Sequence, residues 1–577
     1  MMTRIPKRAR MQENGCSPRI FIEYPEVTIS ACTETGQEES LIVVPLQRAY
    51  TCRKPVILSG LADTPCATLG VQSLLDKLNT TLVTSYNLDN PFLASILEDC
   101  IKGDYDFGLA YSHLRRIWYT DSWSTIRDAV RRQREKDQEE RREALIGNRI
   151  INPQLPPRRV WDLYSNRVVP QWLVRMDPAY IARPLLKPIS HAWMDEENRT
   201  AVWTPINGNE WPVPIPKDVD LNLIRIEMLN RGLEYAWLDV LCLRQVGGRR
   251  EDLRVEEWKV DVPTIGRVYR YSSAVCYLSG LGRPLTLKDG DLESDRSWFR
   301  RAWTLQEVNK RMMLAGDTQD GPLHAKCKDG KYETELLTRF HKQLQKYQTA
   351  RFPEFYQRLQ SRCNLSWLRD VLMEMRNRVS TNPVDKVAGL AFLMKAKWIP
   401  AYCESASLED AWTALVDSMD VFGRTELFLL CPEPGDRGAK WRPSWEQVMT
   451  KPLLLYCPYR ATPTDETGDE AEDWCDMKCI EGLVRGLDAV EGGDRYGEFI
   501  VQGKDGIERY KVAAAHTYPI PENSYTLVYY RCNFFQQVCI VGQSLPGGRF
   551  QKVSVLETPD SYDNLMDITE ERRYILI

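Results

Sequence analysis

The segment "SDRSWFRRAWTLQEV" brings together residue types that could do chemistry. Within it, Trp303, Gln306 and Glu307 are spaced so that, on a helix, their side chains lie on one side. A carboxylate in that position can stabilise positive charge that develops on a ligand, and an indole ring can stack on a flat ligand. We therefore treat Glu307 as the candidate catalytic residue, with Trp303 and Gln306 beside it in a pocket.

Further polar candidates lie where two buried strands are predicted to end. "KPISHAW" indicates a short strand that ends at Ser190, His191 and Trp193, and "LEYAWLDVLCL" indicates another that contains Asp239. In a parallel sheet, ligand sites lie beyond the carboxyl ends of the strands. We therefore expect these four residues to line or bind in the pocket that Glu307 faces.

A purely structural interpretation of Glu307 stays open at this level. On an exposed helix its carboxylate would pair with Arg311, one turn further on, or with Arg300 or Arg301. Composition alone does not separate that arrangement from a pocket.

The other candidates have similar alternatives. Asp239 would accept hydrogen bonds from backbone amides of the following turn, and His191 would find a partner at the rim of the sheet. Cys242 is predicted to be an apolar core thiol, and Trp237 and Tyr277 are predicted to be core residues.

Length and composition predict a globular protein of several domains. The chain has 577 residues, of which 43% are hydrophobic and 27% charged. Its 76 basic and 80 acidic residues give a net charge of -4, which offers no electrostatic reason for a nucleic-acid partner. No apolar run approaches the roughly 20 residues of a membrane span.

Cysteine and histidine usage favours an intracellular protein without a metal site. Sixteen cysteines are scattered without a repeating framework, and the basic N-terminus is not followed by an apolar signal segment. The predicted location is therefore the cytoplasm. There are five histidines and no HExxH pattern, and Cys475 and Cys479 have no second pair nearby, so no metal ligands are predicted.

Changes in local pattern divide the chain into five parts. These are residues 1–150 with short strands and a charged helix, a connector at 151–183 rich in proline and aromatic residues, an α/β part at 184–316, a mostly helical region at 317–450 and a β-rich C-terminal module at 451–577. In the third part strands alternate with helices, which predicts an α/β fold with a parallel sheet flanked by helices.

Several element predictions can be checked individually. Short strands or loosely ordered segments are predicted at "RIFIEY", "LIVVPL" and "PVILSGL". Helices are predicted from Asp121 to Gly147 and over "SLEDAWTALVDSMDVFG", ending at Gly423. The segment "STNPVDKVAGLAFL" is predicted to be a packed helix without chemistry.

Four blocks in order resemble the fungal HET (heterokaryon incompatibility) domain: "ISHAW" (189–193), "EYAWLDVLCLRQ" (234–245), "IGRVYRYSSAVCYLSGLG" (265–282) and "WFRRAWTLQEV" (298–308). The family carries S-x-x-W, W-[IL]-D-x-[LW]-C-[IL]-x-Q, I-Y-x-x-A and R-x-W-x-x-Q-E motifs in this order. The flanks, such as "WRPSWEQV", look like the larger basidiomycete-type proteins. The sequence departs from the pattern after the second block, where the family's polar loop is here the long, highly charged "VGGRREDLRVEEWKVD".

The resemblance implies a role in non-self recognition, in which intracellular signalling leads to programmed cell death when incompatible fungal cells fuse. It implies protein partners or self-association. HET domains are distantly similar to TIR domains, which implies a TIR-like, doubly wound sheet. Some TIR domains cleave the nicotinamide–ribose bond of NAD with the glutamate of a W-x-x-x-E helix, and Trp303 and Glu307 have that spacing.

Three functions therefore stay open: HET-type signalling without turnover, NAD glycohydrolysis with NAD as the substrate and no certain cofactor, and general stress or defence signalling unrelated to cell fusion. The second is chemically reasonable because nicotinamide leaves as a neutral molecule and needs little acid catalysis. The reaction demands a group that stabilises a cationic ribose, and Glu307 is the candidate. No GxGxxG or GxxxxGK[ST] loop follows a strand, so Rossmann or Walker nucleotide binding lacks support.

Overall fold

The computed structural model describes residues 55–120, 122–176, 186–270, 273–307, 312–349, 367–394, 396, 398–454, 474–488, 495–503, 506–532, 536–558 and 569–577. Within these ranges every helix is too short or too polar to cross a lipid bilayer. The strands predicted at "RIFIEY" and "LIVVPL" lie outside the described residues.

The described residues form 17 α-helices and 20 strands. The helices are α1 (Ser59–Ala62), α2 (Cys66–Leu82), α3 (Pro91–Lys102), α4 (Phe107–Leu114), α5 (Ile126–Ala144), α6 (Gln171–Val174), α7 (Leu221–Asn230), α8 (Asp239–Cys242), α9 (Glu251–Asp261), α10 (Ile265–Arg270), α11 (Thr304–Glu307), α12 (Glu335–Thr349), α13 (Trp367–Arg376), α14 (Val384–Ala391), α15 (Leu408–Ser418), α16 (Val421–Leu430) and α17 (Trp445–Thr450). The strands are β1 (Leu145–Ile146), β2 (Arg149–Ile150), β3 (Arg159–Asp162), β4 (Arg167–Pro170), β5 (Leu186–His191), β6 (Arg199–Val202), β7 (Val213–Pro216), β8 (Tyr235–Leu238), β9 (Val275–Tyr277), β10 (Met313–Leu314), β11 (Cys327–Lys328), β12 (Lys331–Tyr332), β13 (Ile399–Pro400), β14 (Trp474–Arg485), β15 (Arg495–Gly503), β16 (Gly506–Ala514), β17 (Asn523–Cys532), β18 (Gln536–Leu545), β19 (Arg549–Thr558) and β20 (Glu570–Leu576).

A six-stranded sheet, in the order β10-β9-β5-β8-β3-β4, positions the candidate residues. Neighbours among β10, β9, β5 and β8 run parallel, as predicted for an α/β fold. The hairpin β3–β4 adds to β8 antiparallel, so the whole sheet is mixed. This hairpin comes from the predicted connector, where Asn166 turns the chain with a φ of 56° between two apolar runs.

Two segments between the parallel strands differ from their predictions. "LEYAWLDVLCL" is a strand only as far as Leu238, because the Asp239 carboxylate accepts a hydrogen bond from the backbone N–H of Val240 at 2.8 Å and the chain turns into α8. The charged stretch after it, where a loop was expected, contains α9. Helix α7 precedes β8, and Gly232 follows the end of this helix with a φ of 74°.

The N-terminal part is helical where the structure describes it. "PVILSGL" is not a strand, since α1 begins inside it, and the backbone N–H of Ile57 donates to a loop carbonyl of Tyr164 at 3.1 Å. Ile57 and Leu61 of this segment pack with α2, α3 and α4 in a separate hydrophobic core. The predicted helix between Asp121 and Gly147 is confirmed as α5.

Arg115, at the end of α4, joins this helical part to the sheet. Its guanidinium donates to both carboxylate oxygens of Asp162 at 2.9 Å and also reaches Glu234 and the hydroxyl of Tyr235. All of these side chains are buried, and Arg115 is 7% exposed. The network therefore fixes the helices to the facing ends of β3 and β8.

The C-terminal half consists of helices followed by the predicted β-rich module. Strands β14 to β20 form a seven-stranded sheet, almost entirely antiparallel. The buried Lys552 ammonium donates to the carbonyls of Phe428 and Cys431 at 2.6 and 2.7 Å, which attaches this sheet to α16. The helix predicted to end at Gly423 ends earlier, because Asp420 caps a new helix, α16, by accepting from the Gly423 N–H.

We expect Arg115→Ala to lower the free energy of unfolding by about 3–5 kcal/mol, because removing one partner leaves buried carboxylates without a counter-charge. Chemical denaturation monitored by tryptophan fluorescence measures the change. Arg127→Ala is the matched control, since Arg127 pairs with Asp99 at a half-exposed site and should cost at most about 1 kcal/mol. Equal effects of the two substitutions would contradict the role of Arg115.

Candidate functional site

A cleft of about 460 Å³ lies at the carboxyl ends of β5 and β8. Its walls come from these strand ends, from α11 and from the chain around α14 and β13. Of the candidates from the sequence, the structure brings these to its lining: His191, Trp193, Asp239, Trp303 and Glu307.

Glu307 faces the cleft from the end of α11. Its side chain is largely buried, and its carboxylate accepts a hydrogen bond from the Ser190 hydroxyl at the end of β5. The indole N–H of Trp298 donates to the same Ser190 oxygen at 2.7 Å, which turns the hydroxyl hydrogen toward Glu307. Burial raises the pKa of Glu307 to about 7, against the opposing effect of the Ser190 hydrogen bond.

This placement contradicts the surface interpretation of Glu307. The Arg300 guanidinium pairs instead with Asp295 at 3.3 Å and donates to a backbone carbonyl at 2.7 Å. Arg301 lines the cleft and makes no ion pair with Glu307. Arg311 lies outside the described residues.

The buried side chain of Arg378 fixes the short helix that carries Glu307. Its guanidinium donates to the carbonyl of Arg301 at 2.6 Å, the hydroxyl of Thr304 at 2.7 Å and the hydroxyl of Tyr347 at 2.8 Å. The N–H of Ala302 also donates to the carbonyl of Val379 at 2.9 Å. A helix of four residues has little stability of its own, so these contacts determine where Glu307 points.

His191 and Asp239 form a pair across the two strand ends. The His191 Nε2 and an Asp239 carboxylate oxygen are 2.9 Å apart, and the indole N–H of Trp193 donates to the other oxygen at 3.1 Å. Burial alone would lower the pKa of His191, but the Asp239 carboxylate outweighs it and raises that pKa. Burial likewise opposes ionisation of Asp239, yet the pKa of Asp239 is lowered by His191. Both shifts favour the ionised forms of the two side chains.

Aromatic rings form flat walls in the cleft. The Trp193 ring stacks on His191 with centroids 5.6 Å apart and an interplanar angle of 27°. On another side the Trp303 ring lies 6.3 Å from the ring of Tyr402. These surfaces suit a planar, uncharged or cationic ring system.

Asp385 and Tyr402 are cleft residues that the sequence did not indicate. The Tyr402 hydroxyl donates to the Asp385 carboxylate at 2.7 Å. Burial raises the pKa of Asp385, although hydrogen bonds from Tyr402 and Trp303 oppose the shift. Asp385 lies in the segment predicted to carry no chemistry, and no local motif marks it.

Two of the predicted pocket residues do not line the cleft. Ser190 lies behind Glu307 and contacts the cleft only through that carboxylate. Gln306 is 5% exposed, and its amide has no hydrogen-bond partner within the described chain. Trp303 precedes the four-residue helix, so the helical spacing that was expected to bring Gln306 alongside it does not apply.

The predicted core residues behave as expected. Cys242 is buried, and burial raises its pKa to about 12, so it is a thiol at neutral pH. Trp237 and Tyr277 are also buried, and Trp237 contributes to the floor of the cleft. Asp239 satisfies both of its interpretations, since it binds the Val240 amide as well as His191.

Comparison with protein-family models, with curated proteins and with solved structures finds no match to this chain. The chemistry of the cleft is therefore inferred from its own residues. Across the described ranges, no group of three or more histidine, cysteine, aspartate or glutamate side chains is arranged to hold a metal ion. The cleft contains the Glu307 carboxyl group, whose pKa is about 7, and aromatic rings that form its walls.

The raised pKa of Glu307 predicts a pH-dependent effect on stability. The unfolded pKa is about 4.5 and the folded pKa about 7, so the folded state loses stability as pH rises between these values. Glu307→Gln removes the charge, so the variant should exceed the wild type by on the order of 3 kcal/mol above pH 8 and by little at pH 4.5. Urea denaturation at both pH values measures this difference.

Glu256→Gln serves as the control, because Glu256 is exposed and pairs with Lys259 on the surface. It should leave the pH dependence of unfolding unchanged. If Glu307→Gln destabilises the protein more at pH 8 than at pH 4.5, ionised Glu307 stabilises the folded state. The raised pKa of the buried carboxyl group would then be wrong.

Proposed function

We propose that this chain is a HET-type signalling protein of fungal non-self recognition, whose cleft cleaves the nicotinamide–ribose bond of NAD and so leads to regulated cell death. The observation that carries the proposal is the buried Glu307 carboxyl at the cleft, bonded to Ser190 at the end of a parallel strand. Carboxyl groups that are buried and have a strongly raised pKa concentrate at functional sites.

The residues present suit the reaction. The bond between the ribose carbon and the nicotinamide nitrogen breaks, and the electron pair leaves with nicotinamide as a neutral molecule. The ribose acquires oxocarbenium character, which the ionised Glu307 carboxylate stabilises. Water then adds to the ribose carbon and a proton is released, so the products are nicotinamide, ADP-ribose and one proton.

The topology of the α/β part supports the TIR-like assignment. Its parallel strands, numbered in chain order as β5, β8, β9 and β10, lie side by side in the order second-first-third-fourth. That is the strand order of doubly wound, flavodoxin-like sheets. Glu307 lies between β9 and β10 in sequence and contacts the first strand, at the edge where such folds bind ligands.

The second candidate is HET-type signalling by assembly without turnover, which needs a surface for protein partners or a second copy of the chain. Val83 and Tyr119 are large exposed side chains that lie beside each other, because the Tyr119 hydroxyl donates to the carbonyl of Leu82 at 2.7 Å. A partner at this surface would cover both. Turnover of NAD separates the two candidates.

Glu307→Gln in the full chain should lower the rate of nicotinamide release from NAD by about 10²–10³-fold. Because ionised Glu307 is the active form and its pKa is about 7, the wild-type rate should also rise about tenfold between pH 6 and pH 8. Chromatographic measurement of nicotinamide gives both results.

Glu256→Gln is again the matched control and should keep the wild-type rate. If the wild type kills expressing cells while NAD is not consumed, or if Glu307→Gln consumes NAD at the wild-type rate, the enzymatic part of the proposal fails. In the first case signalling by assembly is the function that remains.

A further inference from the structure

Two guanidinium groups line the cleft, and neither forms an ion pair among the residues that the structure describes. They belong to Arg199, at the start of β6, and Arg301, three residues before α11. Both side chains are half-buried, where a guanidinium without an ion pair is accessible to an anionic ligand.

Neighbouring arginines that have a structural role form ion pairs with carboxylates. Arg254 binds Glu404 at the cleft rim at 3.1 Å, and Arg300 binds Asp295 at 3.3 Å. Burial and the positive charge of Arg199 lower the pKa of Arg301, against the opposing effect of Asp385. The two cations therefore lie close enough to repel each other.

The geometry positions both residues without using their guanidinium donors. The Arg199 guanidinium lies over the Trp193 ring, 5.1 Å from its centroid, so the N–H groups at its edge can reach a ligand. The backbone of Arg301 is fixed by Arg378, which donates to its carbonyl at 2.6 Å. Within the described part of the chain, the guanidinium of Arg301 makes no ion pair and can donate to a ligand.

We propose that Arg199 and Arg301 form an anion subsite of the cleft that binds the diphosphate of a dinucleotide. Guanidinium groups bind phosphate oxygens in pairs of parallel hydrogen bonds, and two of them match the two phosphates of a diphosphate. The choice of a dinucleotide rests on the proposed function, in which Glu307 acts at the ribose. The anion subsite itself rests on the two unpaired cations.

Binding of ADP-ribose to the full chain tests the subsite without requiring turnover. We expect Arg301→Gln to weaken ADP-ribose binding about 10- to 100-fold in titration calorimetry, because one charge-assisted pair of hydrogen bonds is lost. Arg199→Gln should weaken it similarly. Nicotinamide riboside, which has no diphosphate, should bind both variants as it binds the wild type.

Arg300→Gln is the matched control, since Arg300 is the adjacent residue but faces away toward Asp295. It should bind ADP-ribose as the wild type does. Arg301→Lys keeps the charge and guards against a folding defect: it should recover part of the affinity. The inference is overturned if ADP-ribose does not bind the wild type at millimolar concentration, or if Arg301→Gln and Arg300→Gln bind it equally.

The outcomes also separate this inference from the proposed function. If Arg301→Gln loses ADP-ribose affinity while Glu307→Gln still releases nicotinamide at the wild-type rate, the anion subsite stands and the role of Glu307 fails. If Glu307→Gln abolishes nicotinamide release but Arg301→Gln binds ADP-ribose normally, the role of Glu307 stands and the anion subsite fails.

Discussion

The Glu307 carboxyl is buried, and the surrounding structure must stabilise it. An ionised carboxylate away from water costs several kcal/mol unless charges or donors compensate it. The structure supplies one hydroxyl donor, Ser190, and the Trp298 indole that orients it. Compensation is thus partial, and the group is held near its titration point at neutral pH. A surface carboxylate would need none of this support.

The same constraint explains why the cleft needs chain from well beyond the α/β part. Arg378 follows α13, and its three hydrogen bonds hold the turn that carries Glu307. Asp385 and Tyr402 form a wall of the cleft, and Arg254 of α9 binds Glu404 beside Tyr402. The boundary predicted at residue 316 therefore divides a single site. A fragment limited to residues 184–316 would lack one wall and the support of α11.

Local patterns predicted the residues that the sheet itself brings together. Ser190, His191 and Asp239 meet because the ends of adjacent parallel strands share one edge, a consequence of strand order alone. Helical spacing placed Trp303 with Glu307 but failed for Gln306, since α11 is one turn long. Contacts across some 80 residues of chain depend on tertiary packing, for which a single sequence gives no periodic signal. The β3–β4 hairpin was missed because its flanking prolines outweighed two short apolar runs.

The charged groups of the cleft suit a ligand that carries both a cationic and an anionic group. Glu307 and Asp385 are carboxyl groups whose raised pKa values a nearby cation would lower, so a pyridinium ring would favour their ionised forms. Arg199 and Arg301 are cations that an anionic group would stabilise. His191 and Asp239 already interact with each other. A simple anion would satisfy only the arginines, and a simple cation only the carboxyls. A pyridinium dinucleotide satisfies both, which links the proposed chemistry at Glu307 to the proposed subsite by a single electrostatic argument.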